Sequence, residues 1–326
     1  MSDPVPTDTA NTGWTPPAYA DPTRFTEQAV TVGTGPFAVP GTVSLPARRT
    51  PAPAVVLLGG GGPFDRDGTA GPNKPLKDLA WGLAGRGIAV LRFDKPTFAH
   101  PEFAAASDLT MTGEYVPYAV DAVEQLADRP EVDADRVFLL GHSMGGKVAP
   151  RVAASVPTVA GLVIMAGDTE PMHHAAVRVV TYLAGTVPDQ VPASAVETIA
   201  RQAALVDGPD LTPQTPAGDL PFGLPAPYWL ELRDFDPVEE AAALDQPMLI
   251  VQGGRDYQVT VADDLARWRS GLADRSGVDF AVFEADDHMF FSGTGPSLPD
   301  DYLLPQHVDP EVVDHVADWI DRAQPR

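Results

Sequence analysis

Ser143 stands at the centre of Gly141-His142-Ser143-Met144-Gly145, a G-x-S-x-G pattern whose spacing suits nucleophilic attack by a serine hydroxyl. A serine can project from the end of a sheet only on a sharp, strained turn, and a Cβ two residues to either side would collide with that turn. The backbone N–H of Met144 then faces the same space as the hydroxyl, and the N-terminus of the following helix adds partial positive charge where an oxyanion would form. Chance is a poor explanation, because 29 Gly and 10 Ser in 326 residues predict about 0.08 accidental matches. The flanks agree: Val137 to Leu140 reads as a strand and Lys147 to Ala154 as a helix.

Such a serine needs a base to take its proton and an acid to orient that base, and this kind of turn expects them in the order Ser, acid, His. Downstream lie His173, His174, His288, His307 and His315. His288 follows the final strand in a loop from which a ring can reach back across the strand ends, so it is the candidate base. His173 and His174 fall in a long insertion, His315 is on the polar side of the last helix, and no strand precedes His307. The candidate acid is Asp256, in Gly253-Gly254-Arg255-Asp256 directly after the strand MLIVQ, with Asp168 after AGLVIM as its main rival. Asp286 and Asp287 are too near His288 in sequence to hold its ring well, and Asp263 and Asp264 suit the opening of a helix. A metal hydrolase would need clustered His and carboxylate ligands, whereas the adjacent pair His173-His174 does not share one helix face. No metal and no cofactor is expected.

The elements that must position these residues alternate strand and helix. Glu27 to Leu45 suggests two antiparallel strands at a sheet edge, where Pro40 is tolerated. The apolar runs Pro53 to Leu58, Gly87 to Phe93, Ala160 to Met165 and Gln246 to Gln252 read as strands buried on both faces, and Val278 to Phe283 closes the series. Helices are expected at Leu76 to Leu83, Gly113 to Ala127, Val261 to Ala273, and after Asp309-Pro310. Four glycines, Gly59 to Gly62, follow the first buried strand and leave backbone N–H groups open to a ligand, which is the position of one half of an oxyanion hole. No G-K-[ST] follows, which disfavours a nucleotide-binding loop.

From residue 168 to residue 245 the alternation stops for far longer than an ordinary connection, so this segment is read as an inserted helical lid. Helices are expected at Met172 to Leu183 and Ala193 to Val206, then a proline-rich passage, then a third helix broken near Asp236-Pro237. Pro227-Tyr228-Trp229-Leu230 concentrates bulk there. Tyr228 and Trp229 cannot share one helix face, so at least one of them is expected to line a substrate pocket. Residues 1–24 read as a proline-rich tail docking through Trp14, and residues 25–167 and 246–326 as the core.

Taken together, the segments GGGGPFDRDG, DKPT, GHSMGG, QGGRDYQV and DDHMF make the chain resemble the α/β-hydrolase superfamily of serine hydrolases. It is most similar to bacterial and archaeal esterases of the dienelactone-hydrolase-like, acyl-hydrolase branch, whose oxyanion segment reads H-G-S-G-P-x-D-R-D and is followed by a D-K-R-G turn. The resemblance runs from about Glu27 to the C-terminus and implies an α/β-hydrolase fold, a mostly parallel sheet of about eight strands with helices on both faces. It also implies a Ser143, Asp256, His288 triad and an oxyanion hole from the N–H groups of Met144 and Gly61. Gly59 replaces the histidine that usually begins the hole segment, and Pro96-Thr97 replaces Arg-Gly. The implied reaction is hydrolysis of a small-molecule carboxylic ester; a thioesterase or peptidase would use the same machinery, and a non-catalytic binder would not need all three groups intact.

Composition narrows the rest. A net charge of −23, from 22 Lys+Arg against 45 Asp+Glu, makes nucleic acid and anionic membrane poor partners. Zero cysteines exclude disulfides, thiolate metal sites and a cysteine nucleophile. No apolar run reaches the roughly 18 residues of a membrane span, and no basic-then-apolar leader opens the chain, so a cytoplasmic protein is expected. The excess of aspartate fits either a high-salt interior or a GC-rich genome.

Overall fold

The computed structural model describes residues 13–47 and 51–323. Residues 1–12 of the expected tail lie outside it. Eight strands form one sheet: β1 (Phe25–Val32), β2 (Val39–Pro46), β3 (Ala52–Leu58), β4 (Ala89–Phe93), β5 (Val132–His142), β6 (Leu162–Met165), β7 (Met248–Gly253) and β8 (Val278–Phe283). Their order is β1-β2-β4-β3-β5-β6-β7-β8, antiparallel through the first three and parallel from β4 onward. The expected mostly parallel sheet of about eight strands is therefore present. One expectation shifts: of these two strands only β1 is an edge, since β2 also pairs with β4. Pro40 is tolerated because the β2–β4 pairing begins one residue later, at Gly41, and the Pro40 carbonyl accepts from Asp94 N–H at 2.9 Å.

The helices are α1 (Pro75–Gly85), α2 (Pro96–Ala99), α3 (Pro101–Ala104), α4 (Met111–Ala127), α5 (Met144–Ser155), α6 (Met172–Thr186), α7 (Ala193–Asp207), α8 (Ala226–Arg233), α9 (Pro237–Ala242), α10 (Ala266–Gly271) and α11 (Pro310–Arg322). Strand β3 shows why helices must cover both faces. Every residue is buried, with Ala54, Val56 and Leu58 packed on the α4 and α5 side and Val55 and Leu57 on the α1 and α11 side. Helix α11 starts as expected, with the Asp309 carboxylate accepting from Glu311 N–H and Pro310 in the first turn. Its Val312, Val313, Val316 and Ile320 are all buried.

The insertion between β6 and β7 carries α6 to α9, and α6 packs along α7. The break near Asp236-Pro237 is real: α8 stops at Arg233, and the Asp236 carboxylate caps α9 by accepting from Val238 and Glu239 N–H. The short helices α2 and α3 have no counterpart in the sequence reading, being single turns started by prolines. Among the described residues no helix is long and apolar enough to cross a membrane.

Candidate active site

Ser143 joins β5 to α5 with φ 55° and ψ −123°, a conformation L-residues adopt only under constraint. The constraint is steric closure on both sides. A Cβ on Gly141 would lie 2.1 Å from the Gly145 carbonyl oxygen, and one on Gly145 would lie 2.2 Å from the Leu58 carbonyl oxygen at the end of β3. Backbone therefore packs on backbone around the turn. Ser143 N–H donates to the Met165 carbonyl at 2.9 Å, and its own carbonyl accepts from Lys147 N–H at 3.0 Å to start α5.

His288 and Asp256 meet although 32 positions apart, His288 Nδ1 lying 2.7 Å from Asp256 Oδ2. Asp256 is held by everything near it. Its Oδ1 accepts from Gln258 and Val259 N–H at 2.7 and 2.9 Å, and its Oδ2 also accepts from Gln252 Nε2 at 3.1 Å. Burial disfavours the charged form of His288, but the charge and hydrogen bond of Asp256 outweigh it and raise the pKa above the ordinary histidine value. The loop bearing His288 is closed by Asp287, whose carboxylate accepts from Met289 and Phe291 N–H. Burial raises Asp287 to about 6, while neighbouring Asp286, also buried and facing Asp309, is raised to about 7.

The other sequence candidates have different partners. Asp168, the rival acid, lies 2.8 Å from Nζ of the fully buried Lys147. Asp264 is buried and accepts from Thr169 and Thr260 N–H, and Thr260 caps the turn that precedes α10. His307 contacts Asp78, and His315 packs on Phe283. His173 and His174 do converge, each placing Nε2 2.8 Å from a different oxygen of Asp207. These three could hold a metal by count alone. However, His173 Nδ1 is buried without a partner, and a metal on Nε2 would force an unsatisfied N–H onto that atom, where ligating histidines donate to a partner. The geometry fits paired hydrogen bonds to Asp207.

Two cavities meet at Ser143, Gly61 and His288. The larger, about 500 Å³, runs under the insertion between Met172, Ala176, Val179, Phe222 and Leu224, with Asp168 as its only carboxylate among the described lining residues. The smaller, about 120 Å³, lies toward Phe64, Leu76 and Met289. Met144 and Gly61 both line the larger cavity. The structure sets Tyr228 and Trp229 away from it: both are buried, Tyr228 Oη donates to Glu114 Oε2 at 2.9 Å, and Trp229 packs among His173 and Phe222. The expectation fails because α8 is enclosed between α4 and α7, so opposite faces of the helix are both covered. The aromatic at the cavity mouth is Phe222, 61% exposed.

Sequence reasoning also passed over residues that secure the site from afar. His142 Nε2 donates to the His288 carbonyl at 2.7 Å; burial and the adjacent His288 push its pKa down to about 4, so it is neutral at ordinary pH. Arg178 of α6 donates to the carbonyls of Tyr257 and Gln258, the residues following Asp256, at 3.2 and 3.0 Å. Lys95 Nζ donates to the Gly60 carbonyl at 2.9 Å. Of these, His142 lies inside the GHSMGG segment and Lys95 inside the DKPT segment, whereas Arg178 lies in no recognisable motif.

A family model described as serine aminopeptidase, S33, matches residues 73–290. The esterase EstD of Thermotoga maritima is 36% identical over 309 residues, spanning 93% of this chain and 69% of that protein. Among solved structures, an esterase of Pyrococcus furiosus aligns with a TM-score of 0.57 at 16% identity, covering 92% of each chain. Est1E of Butyrivibrio proteoclasticus aligns with a TM-score of 0.56 at 16% identity, covering 90% of this chain and 99% of that one. The two structures agree with the sheet order and the strained corner in showing an α/β-hydrolase fold, and by its sequence matches the chain belongs to the serine aminopeptidase S33 family.

Proposed function

We propose that this protein hydrolyses small-molecule carboxylic esters through an acyl-enzyme on Ser143, in the dienelactone-hydrolase-like branch of its superfamily, with the insertion as a lid over the acyl group. The observation that carries the reading is the His288–Asp256 contact at the rim of the cavity that Ser143 enters. Ser143 Oγ attacks the ester carbonyl while His288 Nε2 takes its proton. Negative charge on the former carbonyl oxygen is held by the N–H groups of Met144 and Gly61. The tetrahedral species collapses, and the alcohol departs with the proton from His288. Water, deprotonated by the same ring, then attacks the acyl-enzyme, and the acid leaves as Ser143 regains its proton.

The family description raises aminopeptidase action as a second reading. An aminopeptidase of this kind must bind a free α-ammonium, which calls for a carboxylate with charge to spare. Asp168 is the carboxylate in the larger cavity, and Lys147 already neutralises it at 2.8 Å. The apolar walls favour an acyl chain, and the name of the Thermotoga maritima relative points the same way.

Fluorophosphonate labelling, followed by p-nitrophenyl esters from acetate to octanoate and a set of aminoacyl p-nitroanilides, tests both readings. Labelling should vanish in Ser143→Ala, and ester turnover should exceed anilide turnover. Labelling that persists in Ser143→Ala would sink the mechanism; faster anilide turnover would favour the peptidase.

A further inference from the structure

The glycine run that supplies Gly61 has few side chains to hold it, yet an oxyanion donor is useful only if its N–H is aimed before the charge develops. What aims it is visible from below. Lys95 Nζ lies 2.9 Å from the Gly60 carbonyl oxygen, 2.8 Å from Tyr115 Oη and 3.1 Å from Glu114 Oε1. Three partners match the three N–H bonds of an ammonium, and all three surround a side chain that is 5% exposed. Tyr115 Oη is itself 2.9 Å from the same Gly60 oxygen and 3.1 Å from that of Gly59. In a trans peptide the carbonyl of one residue and the N–H of the next point in opposite directions. With the Gly60 carbonyl drawn down onto Lys95 and Tyr115, the Gly61 N–H is turned up, away from the buried ammonium. A Cβ on Gly60 would come within 3.3 Å of the Ser143 Cβ, and one on Gly61 within 3.7 Å of the Met144 Cβ, so this peptide lies directly against the corner.

We infer that Lys95, with Tyr115, is a positioning residue for the oxyanion hole: its ammonium clamps the Gly60 carbonyl, aims the Gly61 N–H at the reacting carbonyl oxygen and strengthens that N–H as a donor by polarising the peptide. The inference rests on the Ser143 reading above. A buried ammonium is a costly way to fix a loop unless its charge is used, because burial alone pulls the Lys95 pKa down, against the pull of Glu114. The loop is separately fastened by Arg66, whose N–H and guanidinium bind Asp94, and by Lys95 N–H on the Phe64 carbonyl, so the ammonium is not its only anchor. Glu114 is in turn held by Thr97 Oγ1 at 2.6 Å and by Tyr228 Oη at 2.9 Å, which ties the clamp to the insertion.

Removing Lys95 alone would strand the Glu114 carboxylate, so the test uses Lys95→Met combined with Glu114→Gln, and separately Tyr115→Phe. Two inhibitors separate aim from shape: 1,1,1-trifluorooctan-2-one, which adds Ser143 and places an oxyanion in the hole, and 2-octanone, which fills the cavity without doing so. In the double variant the trifluoromethyl ketone should bind about 10²-fold more weakly and kcat should fall by about the same factor, as for loss of one oxyanion donor. The 2-octanone constant should move less than about threefold, and Tyr115→Phe should lose about tenfold on the trifluoromethyl ketone alone. Equal weakening of both ketones, or no change in either with melting preserved, overturns the inference. If the double variant does not fold, an unchanged trifluoromethyl ketone constant in Tyr115→Phe overturns it. Failure of the hydrolase reading has its own signature, a wild-type Ser143 that fluorophosphonate does not label, and the clamp then falls with it.

Discussion

The corner around Ser143 and the wall of the insertion facing it are built on opposite principles. At the corner, backbone touches backbone: Gly141 against the Gly145 carbonyl, Gly145 against that of Leu58, with no room for a methyl group. Across the cavity, the surface is made of side-chain ends, Met172, Ala176 and Val179 on α6 and Leu224 in the connection before α8, and α6 is fastened to the core through polar contacts such as those of Arg178. Backbone contacts admit one solution, whereas side-chain ends can be exchanged while the helices that present them stay in place. On the proposed reading, chemistry is thereby separated from selectivity.

The most severe way to break that comparison is Gly145→Ala. Its new Cβ meets a β3 carbonyl that cannot swing aside, so we expect a loss of about 1–3 kcal/mol or more in stability and no measurable turnover, read by denaturant melts and ester assays. A variant that retains normal kcat would show that the corner is not closed. The two carboxylates near the cavity come next. Asp256→Asn should lower kcat by about 10³–10⁴-fold with little change in melting, because it leaves the His288 ring poorly oriented. Asp168→Asn should instead cost about 3–5 kcal/mol of stability, since it strands the buried Lys147 ammonium. Kinetics per folded molecule separates the two, and the reverse pattern would make Asp168 the acid. In the wild type the base must be neutral, and His288 has a raised pKa, so the acidic limb of kcat/KM should lie above the reference histidine value of about 6.5.

How far the sequence could be read follows the same division. The Ser143 corner and the placement of Asp256 and His288 after the last two strands were legible because each is specified within a few residues: glycines two positions from the serine, and apolar runs ending shortly before Asp256 and His288. Helix α11 was legible for the same reason, with Asp309 and Pro310 adjacent. Lys95 was not, because its significance depends on Gly60, 35 positions earlier, and on Tyr115, 20 positions later. Tyr228 and Trp229 misled because helical geometry says that neighbours face apart, but it does not say that both sides of α8 are covered.

Smaller effects sharpen the wall's role. Val179→Phe should fill part of the larger cavity and shift the octanoate-to-acetate ratio of kcat/KM down by about tenfold, with acetate turnover nearly kept. An unchanged ratio would place the acyl chain in the 120 Å³ cavity instead. The mildest change concerns Asp286, raised to about 7 in the folded protein. A carboxyl that holds its proton more tightly when folded contributes stability fully present below about pH 4, the ordinary carboxyl value, and lost as pH rises through about 7. Asp286→Asn should therefore raise the melting temperature at pH 8 by on the order of a few degrees and give no gain at pH 4. A gain of the same size at both values would assign the effect to packing.

Trp14 lies ahead of the first strand and far from the site, yet its indole N–H donates to Asp78 Oδ1 at 2.9 Å. The other oxygen of that carboxylate accepts from Val308 N–H and contacts His307 Nδ1 at 3.0 Å, and Trp14 lies edge-on to Trp81. One buried side chain on α1 thus ties together segments separated by almost the whole length of the polypeptide. A truncated protein starting at Phe25 would retain every strand and every catalytic candidate, and would still leave Asp78 one donor short beside the segment that leads into α11. The arm ahead of the sheet thus adds a contact that the sheet itself does not supply, and a protease that trims it would first be felt at the opposite terminus.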